Sequence, residues 1–298
     1  MTTSITIKSN PTVAPKKKQQ SPLFQLVPFL FNYAGRLSPS FAARMAMKLF
    51  MTPKRKPINL PYIFEKAHVL SVPYKDGKVW AYMWGFTGDI VVLVHGWESG
   101  PHAYEKFINP LVSAGYRVVA IEGPAHGLSL QRQTNMIDYG NAINSVLTRL
   151  EKSGHVTAIV GHSFGGSTLA QMFTRFPTPP TLEKIVMIAS PSRIDQIFKN
   201  FFAMIQLPKE AIKHFEALLM QRYHLEIDGM QVTNWLHSIP QIKGMLIHDR
   251  DDNVIQFEEA ESLVAHWPLA ILKETEGHGH YRIMKSPYVV DSIIDFLG

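Results

Sequence analysis

A short apolar strand that leads directly into a glycine-flanked serine constrains this chain more than any other feature. Residues 156–160 read VTAIV, a run that suits a strand covered on both faces. The next residues, 161–165, read GHSFG, and a helical stretch over 164–176 follows. A turn this sharp holds its central residue in a strained conformation at the amino end of a helix, where free N–H groups face developing negative charge. The pattern therefore predicts that Ser163 is a nucleophile.

Strands and helices alternate along the body of the chain. Compact apolar runs such as 90–94, which reads IVVLV, are typical of central parallel strands. Candidate strands lie at 66–72, 78–84, 90–94, 117–122, 156–160, 184–189, 243–247 and 269–273. Candidate helices lie at 102–114, 136–152, 164–176, 256–266 and 287–297. Two hairpin-like strands followed by strand–helix units predict an α/β fold with an open, mostly parallel eight-stranded sheet.

Charge is distributed unevenly along the chain. Residues 1–64 contain ten Lys or Arg and no acidic residue, whereas residues 65–298 contain 20 basic and 24 acidic side chains. The positive charge therefore belongs to an N-terminal arm, and a nucleic-acid partner is not expected for the body. A hydrophobic fraction of 46% is enough for a sizeable core. The absence of cysteine excludes disulfides, thiolate metal sites and a cysteine nucleophile.

The basic arm, residues 1–64, divides into two parts. Residues 1–21 are polar and are expected to be disordered, and the uncharged stretch after them is too short for a membrane span. Further on, a helix is expected in which Phe41, Met45 and Leu49 share one face. We expect this face to pack on the body, because an exposed apolar stripe promotes aggregation. Peripheral contact of a cytoplasmic protein with an anionic membrane is the competing interpretation.

The interval 191–241 interrupts the alternation of strands and helices. It has no strand-like run and is too long for a simple connection, so it is expected to have structure of its own. Its apolar residues follow helical spacing and predict a helical cap over the carboxyl ends of the strands. Phe198, Phe201 and Phe202 are expected to line an acyl pocket or to seal the cap to the body.

Three motifs together resemble those of the alpha/beta-hydrolase superfamily, and the resemblance covers residues 65–298. Besides GHSFG, the sequence HGWE at 95–98 is similar to the family's His-Gly oxyanion loop. The sequence EGPAHGLS at 122–129 is similar to the family's D-x-x-G-x-G-x-S turn, with Glu122 in place of the usual Asp. The resemblance implies the alpha/beta-hydrolase fold and a triad of serine, acid and histidine in that chain order.

The acid of such a triad is expected after the strand at 243–247, at the edge where open α/β sheets place their active sites. Residues 248–256 read HDRDDNVIQ and are similar to the family's G-x-x-D-x-x-V-P pattern. On that pattern Asp252 is the acid that orients the histidine and stabilises its cation. The neighbouring Asp251 is the alternative.

Two histidines compete for the third position, because His278 and His280 each follow a glycine. In the family, a proline commonly opens the last helix seven residues after the catalytic histidine. Pro287 lies seven residues after His280 and nine after His278, so His280 is favoured. No third ligand group accompanies the two histidines, and neither a metal nor a cofactor is expected.

The resemblance also implies a mechanism. His280 would deprotonate Ser163, which would attack a carbonyl carbon while the backbone N–H groups of Trp97 and Phe164 form the oxyanion hole. Trp97 is also expected to border a substrate with an apolar acyl part. Hydrolysis of a carboxylic ester through an acyl-enzyme is the leading interpretation. Thioester hydrolysis or acyl transfer by the same residues, and a non-catalytic binding protein of this fold, are the alternatives.

Overall fold

One mixed sheet forms the frame of the molecule. The computed structural model describes residues 22–55 and 60–298. The strands are β1 His68–Tyr74, β2 Gly77–Trp84, β3 Ile90–Val94, β4 Arg117–Glu122, β5 Val156–His162, β6 Lys184–Ile188, β7 Lys243–Asp249 and β8 Ala270–Thr275. Their order across the sheet is β1-β2-β4-β3-β5-β6-β7-β8. Only the β1–β2 and β2–β4 pairs are antiparallel, so the prediction of a mostly parallel eight-stranded sheet is confirmed.

Helices cover both faces of this sheet. They are α1 Pro22–Leu37, α2 Pro39–Phe50, α3 Glu105–Ser113, α4 Met136–Glu151, α5 Phe164–Phe173, α6 Ile194–Met204, α7 Lys209–Tyr223, α8 Val232–Trp235, α9 Phe257–Ala265, α10 Gly279–Arg282 and α11 Pro287–Leu297. Short 3-10 turns lie at Tyr62–Lys66, Pro101–Tyr104, Leu236–Ser238 and Ile283–Lys285. α3 and α11 pack on one face, and α4 and α5 pack on the other together with the arm and the insertion.

The strand order reverses in the middle of the sheet, because β4 is added on one side of β3 and β5 on the other. β3 lies between β4 and β5, and all five of its residues are buried, as its IVVLV sequence predicts. In open α/β sheets the crevice beyond the carboxyl ends of the strands at such a point is the usual ligand site. The loops that follow β3 and β5 therefore meet where a site is expected.

The insertion between β6 and β7 is helical, as predicted, and contains α6, α7 and α8. Its aromatic side chains pack into the core. Phe198 stacks on Phe50 of the arm with ring centroids 4.5 Å apart, and Phe201 lies 4.9 Å from the same ring. Phe202 lies 5.0 Å from Phe215 of α7. These phenylalanines therefore pack between the insertion and the arm, whereas the sequence placed them at an acyl pocket or between the cap and the body.

Helix α2 forms as predicted, from Pro39, but it packs through a different face from the predicted one. The buried residues of α2 are Ala42, Ala43, Ala46 and Met47. Phe41, Met45 and Leu49 are instead 49%, 41% and 42% exposed, so the prediction that this face packs on the body is wrong. The reason is steric: small alanine side chains let α2 approach α7 closely, whereas large side chains would hold the two helices apart.

Helix α1 lies outside the predicted elements. It is an uncharged helix up to Arg36, with Pro28 in its interior, and it packs beside α2 and α7. Its contact with α7 depends on Gly35, where a Cβ atom would lie 2.6 Å from the Pro208 ring. The disorder predicted for residues 1–21 concerns residues outside the described part of the chain. None of the described helices combines the length and the apolar character that crossing a bilayer requires.

Candidate active site

Ser163 sits in the strained turn that the sequence predicts between β5 and α5. Its φ and ψ angles are 52° and −124°, a region that non-glycine residues rarely adopt. Two glycines make the turn possible. A Cβ atom on Gly161 would lie 2.6 Å from the Gly166 backbone, and one on Gly165 would lie 2.4 Å from the carbonyl oxygen of Val94. Strain of this kind costs about 1–3 kcal/mol and is characteristic of functional sites.

The three residues predicted to form a triad lie in one line of hydrogen bonds. The Ser163 Oγ and His280 Nε2 atoms are 3.0 Å apart, and His280 Nδ1 lies 2.8 Å from Asp252 Oδ2. They come from the ends of β5, β7 and β8, which meet at one edge of the sheet. A serine hydroxyl, a histidine and a carboxylate in this order can pass a proton from the serine to the imidazole.

Asp252 is buried and fully hydrogen-bonded. Its Oδ1 accepts the N–H groups of Val254 and Ile255 at 2.8 and 2.9 Å, and its Oδ2 faces His280 and, at 3.5 Å, His248. Burial alone would raise the pKa of this carboxyl. Hydrogen bonds from His248, His280 and the Ile255 N–H outweigh that effect and hold the pKa of Asp252 well below its usual range. The group is therefore a carboxylate at neutral pH.

The two alternatives from the sequence occupy other positions. Asp251 is exposed, and its Oδ2 accepts the N–H of Gly277 at 2.8 Å. The side chain of His278 makes no hydrogen bond to Ser163 or Asp252, and its backbone N–H donates to Asp249 at 3.1 Å. In the described structure it is His280, and not His278, that lies within hydrogen-bond reach of the serine.

Asp249 supports the loop that carries His280. Its side chain accepts the Thr275 hydroxyl at 2.7 Å and the Gly279 N–H at 2.8 Å, besides the His278 N–H. Burial would raise the pKa of Asp249, but these hydrogen bonds outweigh it and lower the pKa. The sequence showed an acidic residue in the right turn but not this role, because the role depends on the last β-strand lying beside β7.

His162, the neighbour of the nucleophile, is also buried. Its Nε2 lies 3.0 Å from the carbonyl oxygen of His280, and a carbonyl only accepts, so Nε2 carries the proton. Burial first, and then the charge of His280, lowers the pKa of His162 to about 4. His162 is therefore a neutral donor that holds the backbone of the histidine loop.

The predicted oxyanion donors flank Ser163. Phe164 begins α5, and Trp97 lies in the turn after β3, with their rings 5.2 Å apart. Within the described chain, neither backbone N–H donates to another protein group. The Trp97 turn is braced by two neutral histidines: His95 Nε2 accepts the N–H of Gly123, and His126 Nε2 accepts that of Glu98. Burial lowers the pKa of both imidazoles.

A cavity of about 620 Å³ opens onto Ser163 and His280. Its lining residues are Lys54, Arg55, Gly96, Trp97, Glu98, Ser99, His102, His126, Gly127, His162, Ser163, Val254, His280 and Tyr281. Trp97 borders the cavity, as predicted. Phe198, Phe201 and Phe202 do not, so their prediction as substrate-binding residues is wrong. Their aromatic surfaces are taken up by Phe50 and Phe215.

The arm supplies part of the cavity wall, which the sequence did not predict. Lys54 and Arg55 follow α2, and the Arg55 Nε donates to the carbonyl oxygen of Ala125 at 3.2 Å. The backbone N–H of Lys54 donates to Glu98 Oε1 at 3.1 Å. Glu98 is therefore hydrogen-bonded, and it also lines the cavity. The basic residues that follow α2 in the sequence, Lys54 and Arg55, were the signal that could have indicated this contact.

Comparison with known proteins identifies the family. A sequence model of the alpha/beta hydrolase family matches residues 91–290, which is more than half of this chain. The chain belongs to the alpha/beta hydrolase family, and the resemblance drawn from the motifs is confirmed. The fold, the strained serine turn and the carboxyl-edge cavity are the features that this membership explains.

The individual relatives described next share less than 30% of their residues with this chain over the aligned regions. The human protein "Serine hydrolase-like protein 2" is 29% identical over 181 residues, which are 60% of this chain and 53% of that protein. A "Serine hydrolase-like protein" from Danio rerio is 24% identical over 289 residues, 76% of this chain and 87% of that protein. The chain thus spans about half the length of the human relative. An esterase from Pyrococcus furiosus shares the fold, with a TM-score of 0.63, 19% identity, and coverage of 83% of this chain and 98% of that one.

Proposed function

We propose that the protein is a serine hydrolase that cleaves a carboxylic ester through an acyl-enzyme. The observation that carries the proposal is the line of hydrogen bonds from Ser163 through His280 to Asp252, at 3.0 and 2.8 Å. The serine end of this line lies beside the backbone N–H groups of Trp97 and Phe164, which have no acceptor in the described protein. A nucleophile, its base, the carboxylate that orients the base and an anion site are the groups that acyl transfer requires.

In the proposed reaction, Ser163 Oγ forms a bond to the ester carbonyl carbon while its proton moves to His280 Nε2. The carbonyl oxygen becomes an oxyanion that accepts from the N–H groups of Trp97 and Phe164. The bond to the alcohol oxygen then breaks, and that oxygen takes the proton from His280. Water, deprotonated by His280, attacks the acyl carbon and releases the carboxylic acid and Ser163. Asp252 remains a carboxylate and stabilises the imidazolium.

The residues that line the cavity favour a substrate with a short acyl group. Trp97 and Val254 are its main apolar side chains, whereas basic, acidic and imidazole groups form much of the remainder. A long aliphatic chain requires a continuous apolar channel, and the phenylalanines of the insertion are buried in the core and give none. We therefore propose that esters of short-chain acids are turned over faster than esters of fatty acids.

Labelling by a fluorophosphonate probe tests the nucleophile. The wild type is expected to gain the mass of one probe less hydrogen fluoride on the peptide that contains Ser163, because the serine oxygen displaces fluoride from phosphorus, and Ser163→Ala is expected to gain none. His278→Ala is the matched control, because this half-buried neighbour makes no side-chain hydrogen bond to Ser163 or Asp252 and its loss is expected to leave labelling intact. A wild type that is folded but unlabelled, and inactive on 4-nitrophenyl acetate and butyrate, would favour a non-catalytic binding protein instead.

The products of turnover separate the related reactions. Rates are measured on matched acetyl and dodecanoyl esters and on the corresponding thioesters, with and without an added alcohol acceptor. Ester hydrolysis predicts that the acetyl ester is the best substrate and that the free acid is the main product. Faster thioester turnover, or an acylated acceptor as the main product, contradicts the ester assignment while leaving the nucleophile in place.

A further inference from the structure

Helix α1 presents an apolar stripe to solvent. Leu26, Phe29, Leu30, Tyr33 and Leu37 recur at helical spacing. Their side chains are 56%, 68%, 59%, 61% and 70% exposed in that order. Single exposed apolar residues are normal, but a contiguous patch of large ones marks a surface that binds something.

Helix α2 carries a second stripe of the same kind. Phe41, Met45 and Leu49 lie on one face of α2 and are exposed, opposite the alanine face that packs inward. α1 and α2 pack against each other and against α7, so both stripes face away from the same helix. We call these eight side chains of α1 and α2 the α1–α2 apolar face.

The charged residues of helices α1 and α2 are all positive. Arg36, Arg44 and Lys48 are exposed on these two helices. In the described part of the chain, none of the three pairs with an acidic side chain. The first 64 residues contain ten Lys or Arg and no acid. The surface that meets this face must therefore offer apolar groups and negative charge together.

We propose that the α1–α2 apolar face binds the surface of an anionic lipid bilayer. The apolar side chains would lie among the upper acyl chains, and the three basic side chains would lie at the phosphate level. The helices would rest in the plane of the surface, since neither has the length and apolar character to cross a bilayer. An anionic bilayer surface offers both apolar groups and negative charge, and it is wide enough to contact two adjacent helices.

A second copy of this chain is a poorer occupant. In a symmetric pair the same patch meets itself, so the Arg36, Arg44 and Lys48 side chains of the two copies would face one another without acidic partners on these helices. A bilayer with anionic headgroups removes that repulsion. The proposal is independent of the reaction proposed for Ser163, because it concerns residues that do not line the cavity.

Vesicle flotation tests the proposal with the full-length protein. The probes are vesicles of phosphatidylcholine alone and of phosphatidylcholine with phosphatidylglycerol, each at low and high salt. The wild type is expected to float with the anionic vesicles, at least five-fold more than with the neutral ones, and less at high salt. Phe29→Gln with Leu30→Gln is expected to reduce flotation at least five-fold, and Arg44→Gln with Lys48→Gln is expected to reduce it on anionic vesicles only.

The control replaces equally exposed apolar residues elsewhere. Phe86 and Leu269 are 98% and 47% exposed and lie outside α1 and α2, so their change to glutamine is expected to leave flotation unchanged. Circular dichroism and the melting temperature check that each variant is folded. Absence of wild-type flotation, or equal flotation of the Phe29/Leu30 variant, overturns the proposal. It is also overturned if sedimentation detects a dimer that this variant dissociates while no vesicle binding occurs.

Discussion

His162 donates a hydrogen bond from its Nε2 to the backbone carbonyl oxygen of His280, with 3.0 Å between the two atoms. The turn that carries the nucleophile is thus tied to the loop that carries its base by a contact that involves neither reacting atom. We expect the distance between Ser163 Oγ and His280 Nε2 to depend on this hydrogen bond as well as on Asp252.

Removing that donor is expected to slow the reaction without abolishing it. His162→Leu leaves the His280 carbonyl unsatisfied and frees the loop, and leaving a buried acceptor without a donor costs about 1–3 kcal/mol. We expect kcat for a short-chain ester to fall about 10-fold with little change in KM. His162→Gln, which can still donate, is expected to recover part of the loss. Equal activity of the leucine variant and the wild type would show that the tie does not position His280.

Each member of the triad is expected to be required. Ser163→Ala, His280→Ala and Asp252→Asn should each lower kcat/KM on an activated ester by about 10³-fold or more, because the three groups act as a unit. The double variant of Ser163 and His280 should be little worse than either single one. Steady-state kinetics on purified, folded variants measure this, with Asp251→Asn as the control that should keep most of the activity. Additive losses in the double variant would argue against a shared proton path.

The main effect of replacing Asp249 is expected to be a loss of stability. Asp249→Asn keeps the shape of the side chain but weakens its bonds to Thr275, His278 and Gly279, which should lower the free energy of unfolding by about 1–3 kcal/mol. Urea unfolding measures the change. Asp251→Asn, at an exposed carboxylate with a single backbone partner, should cost less than about 1 kcal/mol. A larger effect at Asp251 than at Asp249 would contradict this assignment.

Stability is expected to fall as the pH is lowered from 7 to 5. His162 has its pKa lowered to about 4 in the folded protein, whereas a free imidazole titrates near about 6.5. Between these values the unfolded chain binds the extra proton, so the free energy of unfolding decreases as the pH falls. Asp249 and Asp252, whose pKa values are also lowered, add to the loss below about pH 4. Urea unfolding at several pH values should show a shallower slope between pH 7 and 5 for His162→Gln.

The insertion phenylalanines are expected to affect folding and not substrate choice. Phe198 is buried against three other aromatic rings, so Phe198→Ala should lower the free energy of unfolding by about 3–5 kcal/mol. The ratio of rates on acetyl and butyryl esters should stay the same. Trp97→Ala, at the cavity wall, is the contrasting variant and should change that ratio. A changed ratio in Phe198→Ala would place its side chain at the substrate.

The sequence predicts best those features that are encoded within a few residues. The strained turn around Ser163 needs small neighbours on both sides, so it can be found in a single chain. The spacing from His280 to Pro287 selects one of two histidines only through its resemblance to the family's usual spacing. The eight strands follow from apolar runs of the right length. These signals are local, and the tertiary structure does not need to be known to read them.

The features that the sequence could not predict depend on which surfaces meet. Helical spacing marks Phe198 as buried, but it does not say whether substrate or Phe50 covers the ring. Hydrophobicity favours the Phe41 face of α2 for packing, and the structure buries the alanine face because α7 comes close. Asp249 has the same side chain as its neighbours in sequence, and only the pairing of β7 with β8 gives it its partners.

The stacking of Phe50 on Phe198 also has a consequence for the chain while it is being synthesised. The two rings are separated by about 150 residues, so the arm leaves the ribosome long before its partner helices exist. Until then, the alanine face of α2 lacks the cover that α7 gives it. The newly made arm is therefore expected to expose apolar side chains during much of translation, the state that chaperones bind.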